Sequence, residues 1–531
     1  MFIHRPRWLI DVNRLCLVPA EPRQRYVALS YVWGTGRSFK TIKRNIDRLQ
    51  QEGSLLFDES SSPGDIIPFS KAAYNSPDST SDRELTTLPR TIRDVIELTQ
   101  QIGEEFLWVD SLCIVQDDEE DKQEHLSCMG SIYANAYVTI VAAGGTAFSG
   151  LRGIEHVTPP MERASKVANY LQSSHSLHLE IQSHHRKLQA STWNHRAWTF
   201  QEQIFSRRLL IFGDTEVSWE CHCAVWFEGM EVVEGQCQNN REVVAQGLSF
   251  GVQPSLWDYA CHVEQYNRRA LTYPEDALDA FGGILTTLST VFVGGFVCGL
   301  PNMFFDAALL WYNKSPLERR HARRRDTGTT LPPTWAWAAW GGAISFRDHA
   351  RDRDSIRPLV QWKYKANNQA HWQSILSLEY QQSSGIQTEM DQLGASVTAG
   401  IAAGSEHDNE GDLKNPSFFE ESRSHLLFAR PLRSFFRVME FYRDVQALLV
   451  GESGPGVGML TSCEALGCRT KAGDLLCEVV AISELSGNGS EVYNVIWIEW
   501  KDGIAYRKGV GWISKSAWAA QKSERIDLIL G

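Results

Sequence analysis

The chain has 531 residues, 43% hydrophobic and 22% charged, the balance of a globular protein with real cores and a length suited to about three domains. Its net charge of -12 excludes a general electrostatic grip on nucleic acid or on an anionic membrane, which needs basic surface. The 11 cysteines are odd in number and scattered, and no secretory signal opens the chain, so a reducing, cytoplasmic location is expected.

The first 150 residues alternate between strand and helix patterns. "YVALSYVWG" begins with a short apolar strand, Tyr26 to Tyr31, and stops at Gly34. "LPRTIRDVIELTQQIG" reads as a helix: Pro89 suits its first turn, Ile92, Val95, Ile96 and Ile102 make the apolar face, and Gly103 stands where a helix stops. "EFLWVDSLCI" is a second strand, buried on both faces by its near-continuous apolar run. "QDDEEDKQEHLSCMGSIYANA" is a second helix, with Asp117 to Asp121 at its positive end and Met129, Ile132 and Tyr133 facing inward. "YVTIVAAGG" is a third strand, Tyr137 to Ala143. This order predicts an α/β unit with a mostly parallel sheet flanked by helices, in which Ala28–Tyr31, Leu107–Asp110 and Thr139–Ala142 are neighbouring parallel strands.

The rest of the chain changes character twice. Residues 58–84, rich in Ser, Pro and Asp, read as a mobile insertion in a first domain spanning 1–240. A mostly helical continuation is expected over 241–382, a linker or surface loop over 383–417, and a β-rich antiparallel module over 418–531. "WKDGIAY" signals a hairpin there, with Asp502-Gly503 at the turn. Phe281 to Leu300 carries no charge and is long enough to cross a bilayer, but its five glycines and several Thr and Ser favour buried helix plus loop, so no membrane span is expected. The basic run "ERRHARRRD", Glu318 to Asp326, reads as a solvated loop, with a targeting or phosphate patch the minor alternative.

In an open parallel sheet, ligands bind beyond the carboxyl ends of the strands. That rule selects Ser30, Tyr31, Trp33 and Gly34 after the first strand, and Asp110, Ser111 and Cys113 after the second. Asp110 is an acid inside an apolar run. It is either a structural carboxylate satisfied by loop N–H groups or an acceptor for a substrate hydroxyl or cation. Glu202 is the second unusual acid. In "AWTFQEQIFS" its helical neighbours are Trp198, Thr199, Phe205 and Ser206, with no Lys or Arg at the usual spacing. It is a reactive carboxylate or a helix acid paired across the fold with Arg196, Arg207 or Arg208. Arg196 and Trp198 complete the candidate binding set. A Cys–His nucleophile, Cys113 with His125 or His195, has no spacing to support it. "CHC" at Cys221 and "CEALGC" at Cys463 are not standard zinc spacings, so no metal is expected. "GESGPGVG", Gly451 to Gly458, lacks the Lys-Ser/Thr ending of a phosphate loop.

"YVALSYVWG", "LPRTIRDVIELTQQIGEEFLWVDSLCIVQDDEEDKQEHLSCMGSIYANAYVTIVAA" and "RAWTFQEQIFSRRLLIF" resemble, in order, the three blocks of the fungal heterokaryon incompatibility (HET) domain, across about residues 26 to 220. "YNRRALTYPEDALDAFGGIL" and "LPPTWAWAAW" resemble segments that follow it in longer members. The resemblance implies non-self recognition and a cell-death response, together with a distant likeness to TIR domains and their flavodoxin-like parallel sheet. Some TIR domains cleave NAD with a glutamate near a Trp-Cys pair. "AWTFQE" is the matching stretch, Glu202 the matching acid, and the pair is not reproduced, since Thr199 follows Trp198. On this reading NAD is a substrate and no cofactor is required. The alternative is a non-enzymatic module that self-associates and recruits an incompatibility partner.

Overall fold

The computed structural model of the protein describes residues 4–34, 39–55, 88–152, 183–214, 216–221, 224–228, 254–323, 331–346, 355–365, 371–377, 426–442, 444–451, 454–466, 475–487 and 490–531. The insertion 58–84 and the stretch 383–417 lie outside the described residues. The chain divides into two compact units, Met1–Ser249 and Phe250–Gly531.

The first unit is built on an 8-stranded sheet. Its centre is parallel. β3 (Val27–Ser30) lies between β4 (Phe106–Trp108) and β5 (Val138–Ala142), and β6 (Arg208–Phe212) follows β5. The expected neighbours and their direction are therefore present. The sheet as a whole is mixed, because both ends are antiparallel. β1 (Trp8–Asp11) pairs with β2 (Cys16–Pro19) and with β4, while β7 (Val217–Cys221) and β8 (Val225–Phe227) extend the other side from β6. Chain length explains the change of direction. The link from Phe212 to Val217 is a tight turn closed by the Gly213 N–H on the Glu216 carbonyl, and so short a link joins only antiparallel neighbours.

Helices cover the parallel core. α1 (Arg90–Gln101) starts after Pro89 and buries Ile92, Val95 and Ile96. Ile102 does not join that face; it is the residue that ends the helix and is 42% exposed. Gly103 follows at φ +78°, a conformation that suits glycine. The second strand is shorter than its apolar run. It stops at Trp108, and Asp110–Cys113 forms a single helical turn, α2. The Asp110 carboxylate accepts the Ser111 N–H at 2.7 Å, which favours the turn over an extended chain. α3 (Glu119–Asn135) carries Glu119, Glu120 and Asp121 in its first turn and buries Met129, Ile132 and Tyr133. α4 (Thr192–His195) and α5 (Trp198–Phe205) lead into β6.

The second unit opens with α6 (Leu256–Tyr266) and α7 (Asp279–Leu288). After α7 the uncharged segment runs through turns into the two-residue strand Phe296–Val297. No helix among the described residues is long and apolar enough to cross a membrane. The C-terminal strands are β9 (Leu432–Tyr442), β10 (Gln446–Gly451), β11 (Gly454–Ser462), β12 (Leu476–Gly487), β13 (Ser490–Lys501) and β14 (Ile504–Ser514). Their pairings close a ring: β9 with β10, β10 with β11, β11 with β14, β14 with β13, β13 with β12 and β12 with β9, all antiparallel. Closure removes the exposed edges of these strands. Val438, Leu449, Leu460, Val479, Val495 and Ile513 belong to the packed core. Ile356–Pro358 adds to β12, and Lys363–Lys365 pairs with Leu426–Ala429. Asp502 and Gly503 both have positive φ, +52° and +78°, the two-residue turn that matches strand twist. Gly451 to Gly458 is the β10–β11 hairpin, with Gly451 opposite Gly454.

Candidate functional site

The site lies at the carboxyl ends of the parallel strands. Ser30 is the last residue of β3 and is 1% exposed. Its hydroxyl donates to the Glu202 carboxylate and accepts the Trp193 indole N–H at 2.6 Å. Glu202 is on α5, whose end is tied to the sheet: the Ser206 hydroxyl donates to the Glu202 carbonyl at 2.6 Å and is 2.7 Å from the Thr139 hydroxyl on β5. The Tyr133 hydroxyl bonds the Leu29 carbonyl at 3.1 Å and also faces Glu202. A sheet end, a helix and a second helix thus converge on one carboxylate.

Asp110 forms the neighbouring acid. The Trp33 indole N–H donates to it at 2.8 Å. The Tyr31 hydroxyl is 2.9 Å from the Ser111 hydroxyl, and the Arg196 guanidinium donates to the Tyr31 carbonyl at 2.7 Å. Gly34, at φ +84°, lets the chain turn away immediately after Trp33. Burial is graded. Tyr31, Ser111, Trp193 and Glu202 are buried, whereas Trp33, Asp110 and Arg196 are half-buried and Gly34 is exposed.

The two acids influence each other. Burial pushes the Glu202 carboxyl up to about 7; the Ser30 hydrogen bond and the Arg196 charge oppose this, and the Asp110 charge adds to it. Burial also raises Asp110, against the Trp33 hydrogen bond and the Arg196 charge. A carboxyl that titrates near neutrality in a group of polar side chains is the usual tuning for acid–base or charge-stabilising chemistry.

Of the sequence-selected residues, Glu202, Ser30, Tyr31, Trp33, Gly34, Asp110 and Arg196 are brought together. Arg196 acts on Glu202 through space rather than by an ion pair. Arg208 turns to the Tyr137 carbonyl and ring, so the expected structural ion pair of Glu202 is not formed among the described residues. Two residues drop out. Cys113 is fully buried, takes the Val109 N–H at 3.4 Å, faces the Leu107 carbonyl, and is pushed up to about 12 by burial. Neither proposed histidine meets it: His125 pairs with the Asp121 carbonyl and His195 with the Ser191 carbonyl. Trp198 is half-buried and enters no hydrogen bond or ring pair among the described residues. The Phe205 ring packs over Gly130 of α3, where a Cβ would meet it at 2.6 Å.

Trp193 and Tyr133 were not selected from the sequence. Tyr133 reads as a core residue, which it also is. Trp193 lies in "STWNH", where Ser191 caps α4 by accepting the Asn194 N–H at 3.1 Å. That cap was the available signal for an ordered segment. No group of three or more His, Cys, Asp or Glu among the described residues is placed to hold a metal ion. Arg319 and Arg320 of the basic run donate to the backbone carbonyls of Ala339 and Trp340 at 2.8 and 3.2 Å, a structural use of both.

Comparison with known proteins finds similarity over part of the chain. The family model described as heterokaryon incompatibility protein (HET) matches residues 26–202, from the start of β3 to Glu202 itself. The chain is 29% identical over 126 residues to heterokaryon incompatibility protein 6, OR allele, of Neurospora crassa, a match covering 24% of this chain and 15% of that protein. No solved structure matches. The chain carries a HET domain.

Proposed function

We propose that the HET domain of this chain acts in fungal non-self recognition and cell death, in the cytoplasm, by cleaving NAD at Glu202. The observation that supports this reading is the meeting of Glu202, Ser30 and Asp110 at the carboxyl ends of parallel strands, with Trp33 and Arg196 on the more exposed side. A dinucleotide presents a ring, a diol and a pyrophosphate. Trp33 suits the ring, the carboxylates suit hydroxyls, and Arg196 suits phosphate.

In the reaction, the bond between ribose C1′ and the nicotinamide nitrogen breaks and its electron pair stays on that nitrogen. Positive charge develops on the ribose, and ionised Glu202 stabilises it. Water then adds at C1′ and gives up a proton, yielding nicotinamide, ADP-ribose and one proton. The reaction needs no further cofactor. The likeness to TIR domains is part of this proposal.

One observation favours the alternative, a non-enzymatic module that self-associates or recruits an incompatibility partner: Glu202 is only 7% exposed and already hydrogen-bonded. The deciding experiment incubates the full chain at high concentration with NAD and follows nicotinamide release. Release that disappears in Glu202→Gln supports the enzyme. A parent chain without release, yet active in a fungal incompatibility assay, supports the module.

A further inference from the structure

A second acid cluster lies within the first unit, on and just before β7. In a strand, every second residue lines one face, so Ser218 and Glu220 of β7 point the same way, and Glu216 immediately before the strand joins them on His184. His184 is 4% exposed. Its Nδ1 is 2.9 Å from Glu216, and its Nε2 is 3.0 Å from Glu220 and 3.2 Å from the Ser218 hydroxyl. Lys187 pairs with Glu216 at 2.8 Å, and His185 stands 3.9 Å from Glu220. An imidazole facing a carboxylate at each nitrogen must donate from both, which makes it an imidazolium. Burial works against that charge, but the two hydrogen bonds and the two negative charges prevail and hold His184 up to about 9. The bond from His184 in turn draws Glu216 down to about 2.

The clamp is connected to the site by a short stretch of chain. Leu188 packs in one core cluster with Trp193 and with Val32. The Ser191 N–H bonds the Leu188 carbonyl, and Ser191 caps α4. Trp193 then donates to Ser30, which donates to Glu202. A segment anchored by His184 at one end and by Trp193 at the other has little freedom between them.

We propose that His184 is a positioning residue for Glu202: it fastens the segment bearing Trp193 and Arg196 to β7, and so holds the Ser30 hydroxyl against the Glu202 carboxylate. The proposal rests on Glu202 being the reacting group. His184 touches no substrate; it acts through Trp193. A clamp of this kind keeps a reacting carboxylate aimed, and small losses of aim are costly to rate.

The test uses the full chain labelled with 15N-tryptophan, with the Trp193 indole signal assigned by Trp193→Phe. In His184→Gln that signal is expected to shift and its hydrogen to exchange about 10-fold faster, as in local opening, while circular dichroism is unchanged. Glu220→Gln keeps an acceptor for the imidazole and should give a smaller shift in the same direction. In the parent chain, raising pH through about 9 should displace the same signal, and His184→Gln should lack that step. Where NAD turnover is measured, His184→Gln should lower kcat on the order of 10- to 100-fold with KM within about twofold. A Trp193 signal unmoved in folded His184→Gln or Glu220→Gln, or unmoved by the parent's titration, overturns the proposal, as does a kcat equal to the parent's. A parent chain without turnover defeats the NAD reading instead, and the indole signal still decides whether His184 holds the Ser30–Glu202 pair.

Discussion

Glu202 in the first unit and Asp306 in the second are nearly the same chemical object in two settings. Each is a helical carboxylate, 7% and 1% exposed. Each accepts a serine hydroxyl, from Ser30 and Ser377. Burial pushes them up to about 7 and about 6. Their surroundings differ. Asp306 lies on the short helix Phe305–Ala308, whose Phe305 ring packs edge-on to Trp335 and Trp362 in the core. Glu202 has a second acid, a half-buried arginine and a half-buried tryptophan beside it, at the end of a parallel sheet. A raised carboxyl pKa therefore reports burial. The case for chemistry comes from the groups around the carboxyl.

The largest expected effect would separate the two acids outright. Glu202→Gln keeps the shape and the Ser30 contact but removes the charge. Nicotinamide release should fall about 10²–10³-fold, the usual cost of losing one electrostatic stabiliser. Asp306→Asn should release nicotinamide at the parent rate. Equal losses in both variants would erase the comparison.

The next effect is on pH dependence. Ionised Glu202 is the active form in the proposal, so kcat/KM for NAD should fall about tenfold per pH unit below the free-enzyme value near 7. A profile flat from pH 5 to 8 would remove Glu202 from the chemistry and leave Asp306 as its equal.

Stability should show where the two acids agree. The folded Glu202 carboxyl holds its proton to about pH 7, against about 4.5 when unfolded. The folded state thus binds the extra proton inside that window, so stability is highest below it, falls as pH rises through it and is flat above. Asp306 behaves likewise between its ordinary value of 3.8 and about 6. At about 1.4 kcal/mol per tenfold change, each acid costs about 3 kcal/mol when ionised. Glu202→Gln and Asp306→Asn should both melt later than the parent at pH 8, and by less at pH 4. An amide variant that melts earlier at pH 8 would mean that its carboxylate is stabilising.

His184 changes with pH in the same direction but for the opposite reason, because the fold favours its charged form. Its folded pKa is raised from 6.5 to about 9, so its contribution is fully present below about 6.5 and lost as pH rises through about 9. The difference in melting temperature between the parent and His184→Gln should therefore shrink above pH 9. The smallest effect is expected at Cys113. Cys113→Ala should leave nicotinamide release unchanged and cost about 1 kcal/mol of stability, as a small deletion in a packed core.

Local rules made part of this protein legible. Apolar runs broken by Gly and Pro located β3, β4 and β5 and helix α1. The strand-end rule selects Ser30, Trp33 and Asp110 from residue order alone. Asp502-Gly503 announced its hairpin, because two consecutive positive-φ residues are a local property. The same rules overran at Asp110, where a side-chain hydrogen bond ended the strand, and at Ile102, which periodicity placed on the buried face. They also left the antiparallel ends of the first sheet and the closure of the barrel unread. The contacts that make the site belong to another class. Ser30 and Glu202 are 172 positions apart, His184 and Glu220 are 36 apart, and neither partner carries a mark of the other. The absence of a helical cation near Glu202 was visible in the sequence. That Arg196 would bond the Tyr31 carbonyl and act on Glu202 through space, that Trp193 would pin Ser30, and that one imidazole would meet two carboxylates were decided by packing. Residue order sets the local propensities along each segment, but hydrogen bonds and charges act between groups a few ångströms apart, and only the folded chain determines which groups those are.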